Sequence, residues 1–488
     1  MSGEIVIDLP RLRSWVGSYR TAPVVMRLTG LERSPIEVFQ ACKKISYHCF
    51  ILESLEDAET TGRYTFIGYD PSLEITAKDH ILTIRGGADF EIEVEDPASY
   101  ISKVISDNSG PRVKGLPPFT GGLVGYFSFE YIRYPEPSLH LDALDDQGFR
   151  DVDLMLFDKV IAYDHLTSEV YLMVTIKLDR LEENYHKALR DLIDMSHLVE
   201  TGPMATMPPL HTTSDFEPLF SREQFSEVVA KAKEHIREGD AFQVVTSNRL
   251  RATAEGSLFE TYQLLRQTNP SPYMFYFSSD DLQIAGASPE TLVKLTGDEV
   301  ITFPLAGTRP RGVTREEDQA LEQDLLADEK ELAEHTMLVD LGRNDIGKIS
   351  QLGSVEVRDL KRILRFSHVM HIGSVVAGTI RPGITAMDVI GAVLPAGTLS
   401  GAPKIRACQI INDLEGVSRG IYGGAIGYIS TTGDLDTCIA IRLAYLKGGK
   451  VSVRAGCGIV ADSVADREWE ETVNKMKAVV NALSEGSS

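Results

Sequence analysis

The chain has 488 residues, 43% of them hydrophobic and 25% charged, enough for one large core or for two or three ordinary domains. A formal net charge of −22 excludes nucleic acid and anionic membrane as principal partners. It also means that any anionic ligand must be held by local arginines, lysines, backbone N–H groups or a metal ion. The five cysteines (Cys42, Cys49, Cys408, Cys438 and Cys457) have no C-x-x-C spacing, which predicts neither disulfides nor zinc and a reducing, cytoplasmic setting. No apolar run is long enough to span a bilayer, and the first residues carry no secretory pattern.

From about Arg20 to Ile193 the pattern is mixed. Residues 47–52, 154–157 and 169–176 read as buried strands and residues 181–193 as a helix. Residues 195–220 are rich in Pro, Gly, Thr and Ser and read as a linker. At Ser221 a capping-box pattern with Gln224 predicts a helix start, with Phe225, Val228, Val229, Ala232 and Ile236 on the buried face and Gly239 as the stop. Farther on, Gly297-Asp298, Gly433-Asp434 and Gly448-Gly449 each separate strand-like runs, the signature of antiparallel hairpins. The expected class is therefore α+β, with large antiparallel sheets packed against helices. The expected division is an N-terminal domain at 1–194, a linker at 195–220 and a second domain at 221–488.

Several segments carry candidate chemistry. Residues 305–312 (Leu-Ala-Gly-Thr-Arg-Pro-Arg-Gly) end a strand, where Gly307 and Thr308 can offer an N–H and a hydroxyl to an anion. A turn with solvated arginines is equally compatible. Glu331 and Glu334 lie three apart on a predicted helix whose apolar side holds Leu332, Leu338 and Val339. Glu468 and Glu471 repeat that spacing on a C-terminal helix with Trp469, Val473, Met476, Val480 and Leu483 as its stripe. If the two helices meet, four carboxylates converge, and Mg²⁺ is the hard cation suited to them. Two solvated helix faces would read the same way.

His368 and His371 are three apart, which is not a zinc spacing without a third ligand, but His371 is a candidate acid or base. Residues 397–404 (Gly-Thr-Leu-Ser-Gly-Ala-Pro-Lys) lack phosphate-loop spacing, although Thr398 can hydrogen-bond a substrate. Residues 456–461 (Gly-Cys-Gly-Ile-Val-Ala) match a dinucleotide fingerprint only formally. No second parallel strand follows, and a glycine turn remains, either cradling a carboxylate or merely tight.

Taken together, residues 239–245, 269–275, 287–290, 304–312, 334–345, 397–404 and 454–461 resemble the chorismate-utilising enzymes, most closely the anthranilate synthase component I group, over nearly the whole chain. The resemblance implies an N-terminal tryptophan-sensing regulatory domain joined to a C-terminal chorismate-binding catalytic domain. It implies Mg²⁺ held by Glu334 and Glu471, with Glu331 and Glu468 close by. Gly307 and Thr308 match the ring-side contact. Tyr422, Arg442, Gly456, Cys457 and Gly458 match the pocket for the enolpyruvyl carboxylate, Cys457 standing where the family often has Ala. His371 matches a histidine tied to elimination of pyruvate. Where isochorismate and salicylate synthases carry a water-activating lysine this chain has Gln243, which cannot act as a base near neutral pH. Where aminodeoxychorismate synthases carry a nucleophilic lysine it has Ala306.

The implied reaction is amination of chorismate at C2 with ammonia and loss of pyruvate to give anthranilate, the first step of tryptophan synthesis. The ammonia is expected from a separate glutaminase subunit, component II, in a hetero-oligomer. Tryptophan is the expected feedback inhibitor, bound by Glu53, Ser54, Pro272, Tyr273 and Met274. Two other readings remain open at this level: an enzyme that stops at aminodeoxyisochorismate, and a tryptophan-binding regulator without catalysis.

Overall fold

Runs rich in β-branched and aromatic residues form strands, and those apolar on both sides sit in mid-sheet. Glu169–Lys177 (EVYLMVTIK) is buried along most of its length and lies between Thr21–Thr29 and Lys159–Asp164. The computed structural model describes residues 2–55, 62–365 and 369–485. Among them two antiparallel sheets, of 14 and 12 strands, lie face to face, with helices on their outer sides. Between the sheets Phe50, Tyr276 and Ile284 from one meet Tyr126, Phe157 and Ile426 from the other in a single core. The α+β expectation holds, and the three hairpins fall where the Gly-containing turns put them.

The two sequence halves interleave. Cys49–Glu53 pairs with Tyr273–Ser278 in the first sheet, and Gly122–Phe127 pairs with Ala425–Ser430 in the second. Residues 195–220 are not a free connector either. The helix Leu181–Thr201 runs past the expected boundary because Met195 and Val199 continue its buried face. His211–Thr212 and Glu217–Pro218 then pair with the long strand Gln243–Glu255. The helix Arg222–Glu238 has the predicted capping box at Ser221 and stops at Gly239, which is left-handed at φ 85°.

A buried ion network fixes the centre of the second half. The Glu415 carboxylate accepts from Arg419 Nε (3.0 Å) and Nη2 (2.6 Å), from Arg454 Nη2 (2.5 Å), and from the Ser247 N–H and Oγ (2.8 Å each). Arg419 also donates to the carbonyls of Leu399 and Val245 (2.6 Å each). Burial opposes the Glu415 charge, yet the two guanidiniums hold its carboxyl below the usual range.

A second polar junction lies at the far edge. The His48 ring stands between Glu74 (Nδ1 to Oε1, 2.6 Å) and Asp280 (Nε2 to Oδ1, 2.9 Å), joining the two sheets. Both ring nitrogens donate only in the imidazolium. The hydrogen bond to Glu74 raises the His48 pKa, against its burial. A raised histidine pKa contributes stability that is full below the ordinary value near about 6.5 and is lost as pH rises through the folded value. The melting temperature of wild type should therefore exceed that of His48→Gln most at about pH 6, with the gap narrowing towards about pH 9. Thermal unfolding of both proteins across that range checks it.

Candidate active site

The helix Glu329–Gly347 starts at Asp328, whose side chain accepts from the N–H groups of Lys330 and Glu331. Leu338 and Val339 are buried against the second sheet, and Glu331 and Glu334, one to two turns nearer the start of the same face, are half-buried. The C-terminal helix Ala465–Glu485 packs against the strand Lys450–Ile459 through Met476, Val479, Ala482 and Leu483. Val473, expected in that stripe, is exposed, and Val479 and Ala482 take the buried positions. Glu468 is buried and Glu471 exposed.

Gln243 stands between the first acidic helix and the strand Lys450–Ile459. Its Nε2 donates to Glu334 Oε1 (3.1 Å), and the same nitrogen lies 2.4 Å from where a Cβ on Gly458 would stand, so a side chain there would displace the Gln243 amide. Lys330, at the start of the first acidic helix, is near enough for its charge to act on Glu468. The four carboxylates border one space without closing into a cage: among the described residues they form no group of three with ligand atoms within 4.8 Å of one another. Local partners hold them apart, Gln243 on Glu334 and Lys475 Nζ on Glu471 (2.7 Å). Burial and the neighbouring Glu334 raise the Glu331 carboxyl; burial, with Glu471 nearby, raises Glu468. A hard divalent cation relieves both effects, and Mg²⁺ needs only one or two carboxylates beside a substrate oxygen and water. The residues present therefore fit such an ion.

Gly307 sits in the strand Leu305–Pro310 at an irregularity in the pairing with Val369–Thr379. Its φ of +66° and the 3.2 Å left between a would-be Cβ and Glu331 Oε2 both require glycine. The irregularity turns the Gly307 carbonyl to His371 Nδ1 (2.8 Å) and brings Thr308 Oγ1 to 3.1 Å from the same nitrogen. Nδ1 thus carries the ring proton and Nε2 the lone pair. Burial lowers the His371 pKa, and the Arg442 charge nearby lowers it further. His368 lies outside the described residues.

Arg442 has a left-handed backbone (φ 53°), rare for a non-glycine residue, and donates to the Lys475 carbonyl (3.2 Å). Tyr422 is buried, with its phenol pushed up to about 12. The guanidinium carbons of Arg419 and Arg454 stand 5.7 and 5.9 Å from its ring centre. The expected glycine turn at Gly456, Cys457 and Gly458 is instead the end of the strand Lys450–Ile459, paired with Gln243–Glu255. The neighbouring hairpin strand pairs only as far as Val453. Lys475 Nζ donates to the Gly456 carbonyl (3.0 Å), so that residue's peptide edge faces the C-terminal helix, and by alternation so does that of Gly458. The amides are therefore presented by an open strand edge.

Two residues in this space were not singled out by the sequence. Lys475 is one turn beyond Glu471, an i,i+4 spacing that could have pointed to it. Glu290 follows Pro289 at the end of a buried strand and accepts from Thr398 Oγ1 (3.2 Å), while the Lys475 charge acts on it. Burial pushes its carboxyl up to about 8, so it is a protonated acid at neutral pH.

The residues expected to bind an inhibitor are elsewhere, on a cavity of about 990 Å³ between the sheets, lined by Ser54, Pro272, Tyr273 and Met274 among others. Ser54 Oγ is buried there without a hydrogen-bond partner. The Glu53 carboxylate, which also lines the cavity, accepts from Arg266 Nε (2.6 Å) and the Tyr262 hydroxyl, both on Oε1.

The fold and this space define a chorismate-binding enzyme: the family model with that description matches residues 47–481, and the chain belongs to the family. It is 42% identical to anthranilate synthase component 1 of Acetivibrio thermocellus over 98% of each chain. It is 43% identical to that of Aquifex aeolicus over 98% of this chain and 97% of that one. The solved anthranilate synthase component I from Streptococcus pneumoniae superposes with a TM-score of 0.76 at 39% identity, covering 87% of this chain and 93% of that one. The menaquinone-specific isochorismate synthase of Escherichia coli shares the fold, with a TM-score of 0.70 at 18% identity over 97% and 98% of the two chains.

If Glu290 supplies a proton, turnover at constant free ammonia should fall above about pH 8. Glu290→Gln should lose that limb and about 10²–10⁴-fold in kcat. Steady-state rates from pH 6.5 to about 9.5 check both.

Proposed function

We propose that this chain is an anthranilate synthase large subunit, aminating chorismate at C2 with ammonia and eliminating pyruvate. The observation that carries the reading is Gln243. It lies between Glu334 and Gly458, cannot deprotonate water, and has a buried Oε1 without a partner, an acceptor suited to an N–H of ammonia. Relatives more than 40% identical over nearly the full length support the same activity.

In this reading Arg442 and the Gly456 and Gly458 amides bind the enolpyruvyl carboxylate, Arg442 through its bidentate fork. The Gly307–Thr308 segment meets the ring side. Glu334 and Glu471 would hold Mg²⁺ directly with Glu331 and Glu468 beside them, and the ion when bound fixes the ring carboxylate and draws electron density from the ring. Ammonia, oriented by Gln243, forms its bond at C2 as the ring double bonds shift and the C4–oxygen bond breaks. Glu290, kept in place by Thr398, protonates the departing hydroxyl, which leaves as water, and the ammonium formed at C2 gives up one proton, which restores the Glu290 acid. His371 Nε2 then takes the C2 proton. The enolpyruvyl C–O bond breaks, the ring becomes aromatic, and the enol picks up a proton as pyruvate.

The ammonia comes from a separate glutaminase subunit, component II, in a hetero-oligomer. The protein is placed in the cytoplasm, a reading supported by five cysteines that are all free and buried. Among the described residues no helix is long and apolar enough to cross a membrane. The N-terminal half serves regulation. Tryptophan fills the cavity at Ser54, with Met274 near its indole and Ser54 Oγ taking one of its polar groups. Glu53, which also lines the cavity, is the carboxylate for its ammonium, shared with Arg266.

Incubated with chorismate, Mg²⁺ and ammonium, the purified chain should release equimolar anthranilate and pyruvate, and with glutamine alone it should release neither. An accumulating non-aromatic amine, or no turnover, would refute the assignment. Glu334→Gln should lose most of the rate at saturating Mg²⁺. Ser54→Phe, which fills one end of the cavity, should raise the half-inhibiting tryptophan concentration about tenfold or more, read from inhibition curves.

A further inference from the structure

Ser374 is a junction. It lies on Val369–Thr379, three residues beyond His371. Its N–H donates to the Pro304 carbonyl (3.1 Å), at the head of the strand that carries Gly307 and Thr308. Its Oγ accepts the backbone N–H of Lys361 (2.9 Å), a left-handed residue at φ 59° in the pairing irregularity of the adjoining strand Glu356–Arg365. The same oxygen is 2.6 Å from His335 Nε2. Ser374 also lines the large cavity between the sheets.

Oγ thus bonds both the Lys361 N–H and His335 Nε2, and the other ring nitrogen of His335 is Nδ1. That nitrogen is buried without a hydrogen-bond partner, so Ser374 is the one hydrogen-bonded tether of the ring among the described residues. His335 is fully buried and directly follows Glu334 on the first acidic helix. A buried ring on that turn cannot shift without shifting the backbone that bears Glu331 and Glu334.

We propose that His335 is a positioning residue: its bond to Ser374 sets where Glu331 and Glu334 stand, and a ligand filling the cavity acts on the acidic helix by displacing Ser374. The regulatory half rests on the reading of the cavity as the tryptophan site; the positioning half does not. Ser374 is the two-way element, since it belongs to the cavity wall and, through Pro304 and His335, to both sides of the acidic space.

The test uses the full chain as wild type, His335→Leu, His335→Gln and Ser374→Ala, with Mn²⁺ as the metal probe. Mn²⁺ binding is read by electron paramagnetic resonance, tryptophan binding by calorimetry and turnover with chorismate and ammonium. His335→Leu and Ser374→Ala should bind Mn²⁺ about tenfold more weakly, while His335→Gln, whose amide oxygen can accept from Ser374, should stay within about threefold of wild type. Ser374→Ala saturated with tryptophan should keep more than about half its uninhibited rate. Wild-type Mn²⁺ affinity in both His335→Leu and Ser374→Ala would overturn the positioning role. Full inhibition of Ser374→Ala at tryptophan saturation would overturn the coupling. Wild-type protein that fails to bind tryptophan would instead overturn the cavity reading, and the Mn²⁺ measurements would still decide the role of His335.

Discussion

One carboxylate holds the catalytic half in register. Glu415 lies between two guanidiniums in a space without water access, and each of the three charges is at most 1% exposed. Burying three ions costs several kcal/mol apiece unless they are well matched, and here every nitrogen of both guanidiniums donates to an oxygen. The partners are the backbone of the segments that build the reaction space. Val245 lies two residues from Gln243, Leu399 is next to Thr398, and Arg454 leads directly into Gly456. Tyr422 rests beside both arginines. Glu130 adds the N-terminal half to the same knot, accepting the N–H groups of Arg419 (2.7 Å) and Gly420 (3.0 Å). A shift of the Glu415 side chain would therefore be felt at several points of the substrate space together.

That space is arranged so that its charges oppose their own burial. Glu331 and Glu468 are biased towards protonation and Arg442 and His371 towards neutrality, all with desolvation as the leading cause. A dicarboxylate bound with a divalent cation supplies the missing partner of each sign. Such a dry local field can hold an anion that a surface of net charge −22 would repel.

Much of this was legible in the chain. Helix starts and hairpins were, because capping boxes and Gly-containing turns are local and the structure does not override them. The acidic helix pairs were also visible from spacing, though only the resemblance indicated that they face each other. Other features depend on distant contacts. Residues 456–458 look like a turn by composition, but pairing with Gln243–Glu255 draws them out as a strand. Residues 195–220 look like a linker, yet a neighbouring edge strand recruits part of them. The pairing of Glu53 with Arg266, more than two hundred residues away, has no local signal. Glu290 carries no spacing signal, because what sets it apart is burial beside Thr398 and Lys475.

Interleaving of the two halves has a consequence for inheritance. Cys49–Glu53 and Gly122–Phe127 are each hydrogen-bonded to strands more than two hundred residues away, so the two sequence halves share ladders instead of meeting at a seam. A gene crossover at the connector between two diverged relatives would have to match both ladders, side chain for side chain, across both sheets. The N-terminal half of this chain cannot be traded as a cassette, and change within it must arise by substitution in an intact pair of sheets.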